Sequence, residues 1–141
     1  MALRNIVKDG DPILRKVCRP VEKFDDRLAS LLDDMAQTMH EADGVGIAGP
    51  QVGIMRRLCV VDCYDEDGVI ELVNPEIIEK SGEQTGSEGC LSFPGKFGTV
   101  TRPMHVTVRA QDRNGNIFEK SGEGLKARAF CHEIDHLNGV C

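Results

Sequence analysis

His132-Glu133-Ile134-Asp135-His136 constrains this chain more than any other segment. On a helix, residues four apart lie about 40° apart in projection, so both imidazoles can face one metal ion. Glu133 lies beside them, placed to act as base on a water at that metal. A catalytic centre of this kind normally takes a third protein ligand. Only Leu137, Asn138, Gly139, Val140 and Cys141 follow His136, so the third ligand has to come mostly from upstream. A distant segment must therefore fold back onto this helix. Leu125, Ala129, Phe130, Ile134 and Leu137 cover most of its girth, which predicts a central, buried helix over about 125–137.

A chain of 141 residues fits one domain, 1–141, with enough length for a real core. Apolar residues make up 40% and charged residues 28%, as in ordinary globular proteins, and charge or glycine interrupts every long apolar run. No segment reads as a bilayer span, and the N-terminus lacks the apolar core of an export signal, so a cytoplasmic protein is expected. The net charge of −6 argues against direct, sequence-independent nucleic-acid binding, although a local basic patch remains open. The six cysteines then read as free thiols or metal ligands rather than disulfides. Cys59 and Cys63 share one face of a strand and read as core.

Along the chain, Gly10-Asp11-Pro12 opens an N-terminal arm that continues extended through Arg19-Pro20-Val21. Asp25 or Asp26 caps a helix whose stripe is Leu28, Leu31, Leu32, Met35, Ala36 and Met39, ending near Asp43-Gly44. Residues 44–53 read as a glycine-rich loop. Strands are predicted over 57–63 and 69–73, the second stopped at Asn74-Pro75, with Ile77-Ile78 and Ser81-Gly82 forming a hairpin. His105 to Gln111 alternates as a half-buried strand, and Asn114-Gly115 turns it into a partner starting at Asn116. Helix, several strands, helix is the order of an α+β fold.

Three stretches carry chemistry: Gly44-Val45-Gly46-Ile47-Ala48-Gly49-Pro50-Gln51, Glu88-Gly89-Cys90-Leu91-Ser92, and the histidine helix. The first does not follow a strand and lacks a third glycine at nucleotide-fingerprint spacing. In the second, Cys90 is flanked by polar and turn residues; with two histidines lacking a partner, its thiolate is the best candidate ligand. His40 and His105 have no such company and read as a helix end and a strand start.

Together, in this order, the three stretches resemble peptide deformylase, and Gly10-Asp11-Pro12-Ile13-Leu14-Arg15 resembles that family's opening. The resemblance covers essentially the whole chain. It implies antiparallel strands packed around a central C-terminal helix, plus an N-terminal helix. It implies that Cys90, His132 and His136 bind one divalent metal, Fe2+ in the cell, with Zn2+, Ni2+ or Co2+ as other occupants. Glu133 shuttles the proton, and Gln51 and the backbone N–H of Leu91 receive the formyl oxygen. Val45, Gly46, Gly89, Leu125 and Ala129 contact the substrate, the apolar ones forming a methionine pocket. The implied substrates are N-formylmethionyl peptides of nascent chains, which lose formate.

The chain departs from the family pattern in places. Gly49 replaces a usual alanine, which should loosen its loop. Phe97 stands where many relatives carry an arginine, so no substrate-binding arginine is assigned there. Relatives continue beyond Gly139-Val140, so the C-terminal tail is short or truncated, and ribosome association through it is not supported. Two other readings stand beside this one. A zinc endopeptidase of the general H-E-x-x-H type would need a downstream ligand, for which little chain remains. A non-catalytic zinc module would need a fourth protein ligand, and Cys131, about 100° around the helix from His132, should not reach.

Overall fold

A computed structural model describes residues 3–140; Cys141, one of the six cysteines, lies outside them. Helix α1 spans Asp26–Glu41, with Asp25 as its cap, accepting from the Leu28 N–H at 3.1 Å. Of its expected stripe, Leu28, Leu32, Met35 and Met39 are buried, while Leu31 and Ala36 are half-buried at its edges, packed against the same cluster. Helix α2 spans Leu125–Leu137 and carries the histidines.

Among the described residues, seven strands lie between the two helices along the chain: β1 (Gly46–Ala48), β2 (Leu58–Asp62), β3 (Val69–Ser81), β4 (Gln84–Cys90), β5 (Phe93–Arg102), β6 (His105–Gln111) and β7 (Ile117–Glu123). One antiparallel sheet has the order β1-β2-β3-β6-β7, and β4 pairs with β5 in a separate ribbon. The fold is α+β, with the strands antiparallel throughout these sheets.

Strand β2 shows how the layers form. Every residue of it is buried. Successive side chains point to opposite faces, so Leu58 and Val60 join the cluster with α1, while Cys59 and Val61 join the cluster with Phe130 and Ile134 of α2. Helices on both faces explain why this strand reads as a continuous apolar run. Cys63 packs against the α2 cluster beside Cys59, as its spacing predicts. The Asn114-Gly115 turn does join β6 to β7.

The structure corrects the sequence reading at several points. The 44–53 segment is not merely a loop: Gly46–Ala48 pairs with β2, and Gly49–Val52 forms a 3-10 turn. A Cβ on Gly49 would come within 2.6 Å of the Ile54 carbonyl oxygen and 2.8 Å of that of Arg56. Glycine therefore tightens this segment against neighbouring backbone instead of loosening it. Strand β3 does not stop at Asn74-Pro75. A register shift between Val73 and Glu76 absorbs the proline, with Asn74 at φ 51°. The Asn74 side chain accepts from the Val21 N–H and donates to the Val21 carbonyl, at 2.8 and 3.0 Å, tying the N-terminal arm to the sheet. The arm also reaches α2, where the Cys18 N–H donates to the Leu137 carbonyl at 2.9 Å. Ser81-Gly82 leads into β4, and β4 and β5 themselves were not expected as strands.

Candidate metal centre and active site

Each histidine of α2 is positioned by a different surrounding. His136 is 1% exposed, set in the helix face that packs on the sheet. His132 is half-buried and lines a cavity. Their Nε2 atoms lie 3.2 Å apart, and Cys90 Sγ lies 3.2 Å from His136 Nε2. Cys90 arrives from the end of β4, so the ribbon supplies the upstream ligand that α2 lacks. The three donor atoms all lie within 4.8 Å of one another, and among the described residues no fourth His, Cys, Asp or Glu joins them. Cys131 is buried in the core instead.

This donor set fits a metal ion. Bonds of about 2.0–2.3 Å at tetrahedral angles place donors roughly 3.3–3.6 Å apart, close to the spacing seen. Thiolate with two imidazoles suits a borderline divalent ion. Glu88 fixes the second requirement, ring orientation. Its Oε1 lies 3.1 Å from His132 Nδ1, which directs the Nδ1–H outward and leaves Nε2 free to ligate. Glu88 in turn accepts from Arg102 at 3.1 Å through both Nε and Nη2, and from Arg128 at 2.7 Å. Arg102 also pairs with Asp135 at 2.5 Å. Burial favours the neutral Glu88, but the hydrogen bonds from Arg102 and His132 outweigh it and lower its pKa. Burial and the charge on His132 push His136 down to about 3. Burial opposes charge on His132 too, yet the Cys90 hydrogen bond and the charge of Glu133 raise it to about 10.

Glu133 is 4% exposed, and its Oε1 has no hydrogen-bond partner. Burial raises its pKa to about 7, the range a proton shuttle needs at neutral pH. Gly46 makes room for it: a Cβ there would overlap the Glu133 carboxylate.

Gln51 is buried in the 3-10 turn after β1. Its Oε1 accepts from the Ala48 N–H at 2.9 Å, which assigns the amide's other end as nitrogen. That nitrogen points to Cys90 Sγ at 3.4 Å and Ser92 Oγ at 3.3 Å. A donor is thus held against the ligand cluster by the backbone of the loop that carries it.

A cavity of about 380 Å³ opens over these groups. Val45, Gly46, Gln51, Gly89, Cys90, Leu91, Leu125, Ala129, His132 and Glu133 all line it, whereas His136 does not. The segments singled out in the sequence therefore meet at one place. Leu125 departs from expectation: it is 52% exposed, because it begins the helix and stands at the cavity's rim rather than in the core. Phe97, 74% exposed, also lines the cavity, its ring against Gly89 across the ribbon. Sequence reasoning passed over Glu88 as a working residue, and with it Arg102, Arg128 and Ser92. The one available signal was a carboxylate two residues before a candidate ligand, and nothing local named its distant partners.

A family model described as polypeptide deformylase matches residues 3–141. A peptide deformylase of Caldanaerobacter subterraneus is 56% identical over 140 residues, covering 99% of this chain and 87% of that protein. One from Alkaliphilus metalliredigens is also 56% identical over 140 residues, covering 99% of this chain and 94% of the other. Among solved structures, a peptide deformylase from Legionella pneumophila superposes with a TM-score of 0.94 at 50% identity, covering 98% of this chain and 82% of its own. The Thermotoga maritima enzyme gives 0.94 at 44% identity, covering 98% and 93%.

Proposed function

The chain belongs to the peptide deformylase family and is a metallohydrolase that removes the formyl group from nascent polypeptides, and from that premise we propose how its residues divide the work. Cys90, His132 and His136 hold one divalent metal, Fe2+ in the cell, with Zn2+, Ni2+ or Co2+ able to take the same ligands. When bound, such an ion acidifies water towards neutrality and polarises the formyl carbonyl. The remaining chemistry belongs to the protein. Glu133 takes the proton of the attacking water and passes it to the departing amine nitrogen, so that formate and a free N-terminal amine result. Its buried position and its raised pKa support that double role. Gln51 Nε2 and the Leu91 N–H donate to the formyl oxygen as charge builds on it. Gly46 and Gly89 border the peptide backbone, and Val45, Leu125 and Ala129 receive the methionine side chain. The substrates are N-formylmethionyl peptides, met in the cytoplasm.

The convergence of Cys90 Sγ with both Nε2 atoms beside the buried Glu133 carries this reading. A structural zinc module would close the site with four protein ligands, and only three such groups converge among the described residues. The test is formate release from a formyl-methionyl peptide, with metal content measured on the same anaerobic sample. Glu133→Ala should keep the metal and lose roughly 10²–10⁴-fold in turnover. Cys90→Ser should lose most of the metal. Near-normal turnover by metal-loaded Glu133→Ala would take the proton shuttle away from this residue.

A further inference from the structure

We propose that Tyr64 is a positioning residue: its hydroxyl clamps the Gly44 carbonyl and so sets the cavity wall formed by residues 43–46. Tyr64 lies in the loop after β2, and its hydroxyl donates to the Gly44 carbonyl at 2.9 Å. The Gly44 N–H is held from the other side, donating to the Met39 carbonyl of α1 at 2.9 Å. The next carbonyl, Val45, accepts from the Asp62 N–H at 2.8 Å. Two successive carbonyls of the wall thus hang from residues 62 and 64. Asp62 also builds the arm that aims the tyrosine. One carboxylate oxygen accepts from the Tyr64 N–H at 2.8 Å, and the other meets His40 Nε2 at 2.7 Å. The His40 and Tyr64 rings lie 6.0 Å apart, tilted by 48°.

Packing does not account for this arrangement. Tyr64 is 60% exposed and belongs to neither apolar cluster. It nevertheless sits at φ 59°, a left-handed conformation that a non-glycine residue holds only when its surroundings impose it. What the conformation achieves is the reach of the hydroxyl to Gly44. The wall matters because both its neighbours face the reaction. Gly44 packs against the Leu91 side chain, and Gly46 against the Glu133 carboxylate. The clamp rests on the reading that this wall borders the peptide. It predicts an effect on substrate capture more than on the chemical step, because neither the ligands nor Glu133 touches Tyr64.

The experiment is steady-state kinetics of the metal-loaded enzyme on formyl-Met-Ala-Ser, with thermal melting and metal content of the same samples. Tyr64→Phe removes only the hydroxyl. KM should rise about three- to tenfold, the equilibrium weight of one net hydrogen bond, with kcat changed less than about twofold and melting and metal content unchanged. Tyr64→Gly relieves the backbone strain and also lacks the hydroxyl, so it should show the same KM rise with melting equal to or above the parent's. A parent-like KM in both variants overturns the clamp, and so does a KM rise accompanied by lower melting or lost metal. Failure of the parent itself to release formate would overturn the reading of the site, and the clamp with it.

Discussion

Helix α2 and the β4–β5 ribbon meet at the metal ligands, yet they are attached to the molecule in different ways. Helix α2 buries Ala127, Ala129, Phe130, Ile134 and Leu137 against the sheet, and its two histidines ride on that contact. The ribbon's two strands have little apolar attachment, although Leu91 in the turn between them packs against the α1 cluster. No residue of β4 or β5 belongs to either buried cluster, and most of β5 is exposed. The strands are held mainly by polar contacts, chief among them Glu88, Arg102 and Arg128, a charged knot whose side chains are 7%, 16% and 13% exposed, with Gln84 donating to the Gly124 carbonyl at 2.7 Å. Dispersion and burial are non-directional and fix a helix firmly. Hydrogen bonds to a carboxylate are directional and fix an angle. The histidines come from the element held by bulk, and the cysteine from the element held by direction.

That contrast can be broken at either end. The largest effect is expected from Phe130→Ala, which empties a fully buried site on α2. It should lower unfolding free energy by roughly 3–5 kcal/mol, read from urea denaturation, while the metal affinity of the folded fraction stays near the parent's. A smaller change of a different kind is expected from Glu88→Gln, which keeps the shape and removes the charge. Metal affinity should fall roughly 10–100-fold, the usual effect of losing a ligand's orienting partner, and the urea midpoint should move less than for Phe130→Ala. If stability fell as far as in Phe130→Ala with metal affinity intact, the knot would be a general brace and the contrast would collapse. The smallest effect belongs to Thr101→Val, which removes the exposed contact between the Thr85 and Thr101 hydroxyls at 2.9 Å. Stability and metal affinity should both stay within about 0.5 kcal/mol of the parent. A larger loss would mean that the ribbon depends on its own pairing more than on Glu88.

The same contrast explains what the sequence made legible. Elements held by bulk leave a pattern: the stripe of α1 and the β6–β7 hairpin with its Asn114-Gly115 turn were readable because periodic burial is written in residue type. The β4–β5 ribbon was not, because Gln84, Thr85, Ser87 and Glu88 show no apolar alternation and their partners lie far along the chain. Strand β3 was cut short on paper at Asn74-Pro75, since a bulge that accommodates proline needs a partner strand to be visible. At the site, type and spacing pointed to His132, Glu133, His136 and Cys90, which the fold brings together, whereas Gln51 and Leu91 were expected only through family resemblance. Glu88 was missed as a working residue because its role is defined by three side chains that approach from β5 and α2.

The position of α2 after all seven strands also has a consequence during synthesis. A chain made from its N-terminus contains every strand of the sheet before it contains their helical cover. Until the 13 residues of α2 are available, Val61, Leu72, Val108 and Ala110 lack the helix that shields them. At about 5–20 residues per second that stage lasts on the order of a second. An uncovered apolar sheet with open edges is the sticky species that chaperones bind. Phe130, which covers that sheet, lies on the same helix as His132 and His136, so the residues that shield the apolar face and those that reach the metal site are supplied by one segment.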